Sequence, residues 1–264
     1  MESKILFLGT GGDAFVIGKQ KRASGGIIFN YAESQFHIDP GPGSLVMAKL
    51  TNANLRSNTG ILVTGNDLFR ANDVNAVIFA MTHDGLDKRG VLICPSKVIL
   101  DEEKGNFANK FYLDFLERII MTTNTKKIGV NEIDIEVIDL EEDNCGYKII
   151  TPKFSLVYIP HTLKVDELMQ LEEIDILILN VRDPIETKNS LNSELAQKVI
   201  SKLSPQIAII TGFGMKMLES ESLYECREMQ KNTGIQVISA KDGMNINPAS
   251  FSAIVRQKKL HGVE

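Results

Sequence analysis

Four histidines, His37, His83, His161 and His261, are the chain's whole supply of imidazole, and no two share the H-x-H spacing that puts both rings on one metal. The three cysteines, Cys94, Cys145 and Cys226, are widely spaced and form no C-x-x-C. That fits reduced thiols better than a disulfide framework or a structural zinc site. Zinc is held mainly by imidazole and thiolate, so a metal centre here would have to lean on carboxylates. Two carboxylates stand out by their neighbours: Asp39 in His37-Ile38-Asp39-Pro40-Gly41-Pro42-Gly43, and Asp67 in Thr64-Gly65-Asn66-Asp67-Leu68-Phe69-Arg70. With His161 they could form a one-metal site, or a hydrolytic site in which Asp67 and His161 carry the chemistry. Plainer readings stand beside these: a turn cap for Asp39, a solvated strand end for Asp67, a space-filling imidazole for His161. Arg70, a permanent cation at a helix start, could bind phosphate or carboxylate through paired hydrogen bonds. Its alternative is a salt bridge to Asp39 or Asp73.

The elements that must position these groups are short apolar runs alternating with amphipathic helical stretches. Strands are expected at 4–8, 26–31 and 35–38, separated by glycine-rich turns at 9–12 and 39–43. The 9–12 turn is not a G-x-G-x-x-G phosphate loop. From Ser44 a helix is expected, with Leu45, Val46 and Leu50 spaced for one apolar face. A strand at 60–64 leads to a helix at 71–82, in which Val74, Val77, Ile78 and Met81 repeat at helical spacing and His83 ends the helix. Further strands are predicted at 90–94 and 97–100, then a helix at 107–123 that could cover a pocket mouth. The second half reads as strands at 133–138, 146–151, 154–159, 175–180, 206–211 and 236–239, with helices at 164–172, 193–203 and 214–232. Hairpins first, then strands joined through helices, suit two sheets packed face to face with helices outside.

Composition narrows the classes further. At 264 residues and 43% hydrophobic content the chain can bury one large core, so one domain over 1–264 is expected. A net charge of -5 and the absence of tryptophan disfavour nucleic acid as a partner. The apolar stretch Ile5-Leu6-Phe7-Leu8 is too short for a signal peptide or a membrane span. A cytoplasmic protein with no membrane partner is expected.

Several segments, in order along the chain, resemble the metallo-β-lactamase fold, in particular its ribonuclease Z and phosphodiesterase-like branches. Leu8-Gly9-Thr10-Gly11-Gly12 matches the opening strand and glycine turn, and Arg22-Ala23-Ser24-Gly25-Gly26 the next hairpin. The segment from His37 to Gly43 matches a D-x-G-x-G-like loop whose aspartate supports the metal site. Tyr158-Ile159-Pro160-His161-Thr162 resembles Y-x-S-D-T, with His161 in place of the metal-bridging aspartate. Ile209-Ile210-Thr211-Gly212-Phe213-Gly214 resembles a strand ending in T-H-F-G, and Ala240-Lys241-Asp242-Gly243-Met244 the closing A-x-D-G-M. The resemblance implies an α/β fold, an αββα sandwich of two mixed β-sheets with helices outside.

The same resemblance places the family's [ST]-H-x-H-x-D-H motif on Thr64 to Arg70, so that its four ligand positions fall on Gly65, Asp67, Phe69 and Arg70. Gly212 deletes a further histidine. Such a dimetal site needs about five histidines and an aspartate or two, because imidazole suits zinc; this chain has four histidines in all. The resemblance therefore implies a member that has lost its dimetal site, with no metal or cofactor expected. What remains is a non-catalytic binding, regulatory or scaffold protein whose cleft takes an anionic small molecule at Arg70, Asp39, Gly65, Gly212 and Thr211. The alternative is a phosphodiesterase-like, metal-dependent hydrolase with a rebuilt site. By analogy with inactive members that pair with active relatives, a homodimer or a heterodimer with an active paralogue is expected.

Overall fold

The computed structural model describes residues 3–103, 105–160, 165–185 and 191–251. Two seven-stranded mixed sheets pack face to face. The first holds β1 (Lys4–Phe7), β2 (Ile27–Tyr31), β3 (Ser34–Ile38), β4 (Gly60–Leu62), β5 (Val91–Cys94) and β6 (Arg118–Met121). The second runs from β7 (Lys127–Val130), β8 (Ile133–Leu140), β9 (Asn144–Ile150) and β10 (Ser155–Ile159) to β11 (Ile176–Asn180), β12 (Ile207–Thr211) and β13 (Gln236–Ser239). The last strand, β14 (Asn245–Ile246), returns to the first sheet beside β1. Each sheet begins as antiparallel hairpins and turns parallel, from β3 onward in the first and from β10 onward in the second.

Three apolar clusters define the layers. Phe7, Phe29, Phe36, Tyr147, Phe154 and Ile178 belong to the core between the sheets. Alternate residues of the same strands face outward, where Ile28, Ile61 and Leu92 meet Val74, Val77 and Met81 of a helix. On the other side Val157, Leu177 and Ala208 meet Ala196, Val199 and Met229. Period-two alternation on strands buried on both faces produces this αββα layering.

The helices are α1 (Ala14–Gly18), α2 (Ser44–Leu50), α3 (Leu68–Ala71), α4 (Val74–Thr82), α5 (Lys97–Leu100), α6 (Lys110–Leu113), α7 (Val165–Leu168), α8 (Ser193–Leu203), α9 (Met215–Glu219) and α10 (Ser222–Thr233). Several depart from expectation. The run at 97–100 is a single helical turn, closed by Leu100 N–H donating to the Ser96 carbonyl, and not a strand. Its β-branched residues mimic a strand, but Pro95 and Ser96 start a turn. The expected long helix at 107–123 is instead the short α6 followed by edge strand β6. Ile119 is 40% exposed and Ile120 8%, a strand's alternation. The predicted helix at 214–232 is broken into α9 and α10 at Glu221, whose φ of +61° is left-handed. The helix expected at 71–82 is α4, which starts at Val74 after the separate turn α3, and His83 ends it with a φ of +52°. The apolar face expected on α2 is turned outward: Ser44 and Ala48 are buried, whereas Val46 is 63% and Leu50 69% exposed. Among the described residues no helix is long and apolar enough to cross a membrane.

Candidate functional site

The candidate residues converge where the parallel strands end. Asp39 follows β3, Thr64 and Gly65 follow β4, Pro160 follows β10, Asn180 ends β11, and Thr211 and Gly212 close β12. Carboxyl ends of parallel strands are where open α/β sheets hold ligands, because the chain there leaves the ladder with side chains and backbone unpaired. Here they bound a cleft of about 260 Å³ whose walls include Asp39, Asp67, Phe69, Arg70, Tyr158, Asn180, Arg182 and Gly212. The residues at 107–123 do not line it.

Asp39 is buried, with a left-handed φ of +50°. Strict alternation along β3 would put it on the same face as His37; the left-handed backbone breaks that alternation. His37 faces Gly25, donating Nε2–H to its carbonyl at 2.7 Å. Asp39 turns instead to the second sheet. Its Oδ1 accepts from Thr64 N–H at 2.8 Å, and its Oδ2 from Thr64 Oγ1 at 2.7 Å and from the Tyr158 hydroxyl at 2.9 Å. Burial pushes the carboxyl up to about 6, against the pull of Arg70 and of these hydrogen bonds. Burial and the Asp39 charge push the Tyr158 phenol well above its ordinary value, so it stays a donor. The plainer reading of Asp39, a cap on local turn amides, is replaced by a clasp between the two sheets.

Arg70 points inward, and its partner is Asp67, not Asp39 or Asp73. Its Nε donates to Asp67 Oδ2 at 2.5 Å, and Nη2 also pairs with that carboxylate. Asp67 additionally caps α3, accepting from Arg70 N–H through Oδ1 at 3.1 Å. Nη2 donates to Asn144 Oδ1 at 2.9 Å, and Nη1 reaches Thr64 Oγ1 at 3.4 Å. Among the described residues the hydrogen-bonded link from Asp39 to Arg70 runs through Thr64, while the Arg70 charge also acts on Asp39 directly. Asp73 is used elsewhere, accepting from the backbone N–H groups of Gly43 and Ser44 ahead of α2.

Gly65 and Gly212, where the resemblance implies histidines, are both covered by polar side chains. A Cβ on Gly65 would collide with Cζ and Nη2 of Arg70 and with Asn144 Oδ1. On Gly212, whose φ is +68°, a Cβ would fall 2.8 Å from Cβ and Cγ of Asn180. The vacated volume is therefore occupied. Asn180 donates Nδ2 to the Tyr158 hydroxyl at a long 3.4 Å, and its Oδ1 is buried with no partner among the described residues. Arg182 lies on the cleft wall with Nε on Asp183 at 3.0 Å and a side chain 36% exposed.

Two aspartates outside the cleft hold its glycine rim. Asp242 accepts from Thr10 Oγ1 at 2.7 Å and from Ala23 N–H at 2.8 Å. Asp13 caps α1 through Val16 N–H and also accepts from Met215 N–H at 2.8 Å. Gly11 and Phe213 form a bridge that joins the first glycine turn to the end of β12.

Of the residues singled out from sequence, Asp39, Asp67, Arg70, Thr211 and Gly212 line the cleft, and Gly65 lies directly behind the Arg70 guanidinium. His161 lies outside the described residues. Tyr158, Asn144, Asn180 and Arg182 were not foreseen as site residues. The signal for the last two was an alternating Asn180-Val181-Arg182 at a strand end. Among the described residues no group of three or more His, Cys, Asp or Glu converges to hold a metal ion. The side chains at the ligand positions do not fit a metal pair, because a guanidinium and an amide fill the space its histidines would need.

No protein-family model matches the chain. It is 24% identical over 257 residues to an uncharacterized protein of Methanocaldococcus jannaschii, an alignment covering 93% of this chain and 95% of that protein. Its structure is similar to the metallo-beta-lactamase fold protein YhfI of Bacillus subtilis, with a TM-score of 0.73 at 14% identity over 93% of this chain and 99% of that one. Zn2+-bound PqqB of Methylobacterium extorquens gives 0.68 at 13% identity, covering 92% and 99%. The short form of human tRNase Z gives 0.64 at 11% identity, covering 92% and 98%. The chain has the metallo-β-lactamase fold, as the ordered segments along its sequence imply.

Proposed function

We propose that this chain is a non-catalytic binding protein on a metallo-hydrolase scaffold, taking a small anionic ligand in the cleft at the strand ends. The observation that carries the reading is the Arg70 guanidinium seated over Gly65, where a metal ligand would stand. A metal makes hydroxide near neutral pH by lowering the pKa of a bound water. A guanidinium cannot do this, since it binds no water as a Lewis acid and releases no proton. What it can do is hold Asp67, Asn144 and Thr64 together as a cation, keeping the shape of the site. The positive charge left for a ligand is then chiefly that of Arg182. Zn2+-bound PqqB, of the same fold, marks the contrast.

The test is metal content and ligand binding on the same preparation. Purified without chelator, the protein should carry far less than one equivalent of zinc, iron or manganese, and calorimetry should detect an organic phosphate in the cleft. Stoichiometric metal held by cleft side chains would overturn the reading.

A second reading, a phosphodiesterase-like hydrolase with a rebuilt site, draws on Asp39 and Asp67 facing one cleft, with Asp39 pushed up to about 6. Turnover that disappears in Asp67→Ala would favour it. As for assembly, a homodimer or a heterodimer with an active paralogue is proposed, and the outward apolar residues Val46 and Leu50 of α2 support a protein partner.

A further inference from the structure

Asn180 and Arg182 are two residues apart on a chain that still runs extended past β11, held there by Val181 N–H donating to the Thr211 carbonyl at 2.9 Å. Val181 between them is fully buried in the helix-side core. Alternation therefore sends Asn180 and Arg182 the same way, and both line the cleft. Their unused hydrogen-bonding capacity differs in kind. Among the described residues the Arg182 side chain has one hydrogen bond, Nε to Asp183, which leaves the other donors of this cleft-wall residue open. Asn180 adds an acceptor recessed in the cleft wall, which a donor reaches only as neighbouring side chains give way. Its Nδ2 is committed to the Tyr158 hydroxyl, which in turn donates its only proton to Asp39, so the amide orientation follows from the network. Its Oδ1 is buried and has no partner among the described residues. A buried acceptor without a donor is costly, and the cost is offset only when something supplies an N–H or O–H. The lining of the same cleft also includes the apolar residues Ile27, Phe69, Pro160 and Leu191.

We infer that the cleft's ligand carries two groups on a short carbon skeleton: an anion held by the Arg182 fork and a hydroxyl or N–H donor delivered to Asn180 Oδ1. The class this selects is a small organic phosphate or carboxylate bearing a hydroxyl or amine. Phosphate or carboxylate suits the fork's paired N–H geometry; the hydroxyl or amine suits the bare amide oxygen. An anion lacking the donor fills the space but leaves Oδ1 unpaired, and sites that desolvate a polar group reject ligands unable to satisfy it. The inference rests on the anion-binding reading of the cleft and adds the second group.

The experiment uses two probes that differ only in hydroxyls: sn-glycerol 3-phosphate and n-propyl phosphate, titrated into the full chain by calorimetry at pH 8. The expected result is that glycerol phosphate binds at least tenfold more tightly. Asn180→Leu, which removes the acceptor at similar volume, should reduce that preference to within about twofold. Arg182→Gln should weaken both probes tenfold or more. Equal affinity of both probes for the unaltered protein, with binding still dependent on Arg182, would overturn the two-group ligand while leaving the anion cleft standing. No binding of either probe, or binding indifferent to Arg182, would overturn both. The wild-type comparison decides the matter even if Asn180→Leu fails to fold.

Discussion

Arg70 occupies the space in front of Gly65: a Cβ on that glycine would collide with the guanidinium carbon and with Nη2. The two positions are therefore one feature, a missing side chain and the long side chain that fills its place. Asn180 over Gly212 repeats the arrangement across the cleft. In both cases a polar group, and not an apolar one, fills the volume, so the cleft keeps hydrogen-bonding capacity.

Gly65→Ala should destabilise the protein by about 1–3 kcal/mol, the usual cost of inserting a methyl into filled space. Arg70→Ala should cost a similar amount, because it leaves the part-buried Asp67 without its partner. The double variant should be less destabilised than the sum, since removing the guanidinium makes room for the methyl. Urea unfolding of all four proteins measures the coupling, and strict additivity would show that the two residues do not compete for space.

The pH dependence of stability should be flat where two buried groups oppose each other. Asp39 is pushed up from 3.8 to about 6, so between these values the folded state holds a proton that the unfolded state has lost, and stability falls as pH rises. Burial pushes His37 down from 6.5 to about 4, so in that window the unfolded state holds the extra proton and stability rises with pH. The shifts are similar in size, about 3 kcal/mol each. Asp39→Asn should unmask a stability that climbs from pH 4 to 6.5. His37→Gln should unmask the reverse slope. Chemical denaturation across that range reads both, and an Asp39→Asn profile with no climb would refute the opposition.

Hydrolysis of bis(p-nitrophenyl) phosphate should stay at background with or without added Zn2+ or Mn2+, because the positions that would carry histidine ligands hold Gly65, Arg70 and Gly212. The measurement is a rate assay on protein passed through two unrelated columns. Metal-stimulated turnover lost in Asp67→Ala would instead establish the rebuilt hydrolase.

The purified chain, alone or with a related partner, should sediment as a dimer at micromolar concentration. Val46→Lys or Leu50→Lys on the exposed face of α2 should shift it toward monomer without changing its unfolding midpoint by more than about 0.5 kcal/mol. A monomer at every concentration tested, with no partner recovered, would remove the assembly from the account.

The sequence by itself determined the layering and the scarcity of imidazole. Runs such as Ile176–Asn180 and Ile207–Thr211 are apolar on both faces, which only a sheet covered on both sides accommodates. The shortage of imidazole and the glycines at 65 and 212 could be read directly from residue order. Short segments were less legible: Lys97–Leu100 and Arg118–Met121 each have a basic residue followed by three apolar ones, and one became a helical turn, the other an edge strand, because each took the conformation its neighbours could pair or pack. What covers Gly65 and Gly212 was decided by tertiary structure alone. Asn144 approaches Arg70 from 74 residues away and Tyr158 approaches Asp39 from 119. Local pattern carries no trace of such partners, because the contacts exist only once two sheets have packed and a left-handed Asp39 has turned its carboxylate from one toward the other.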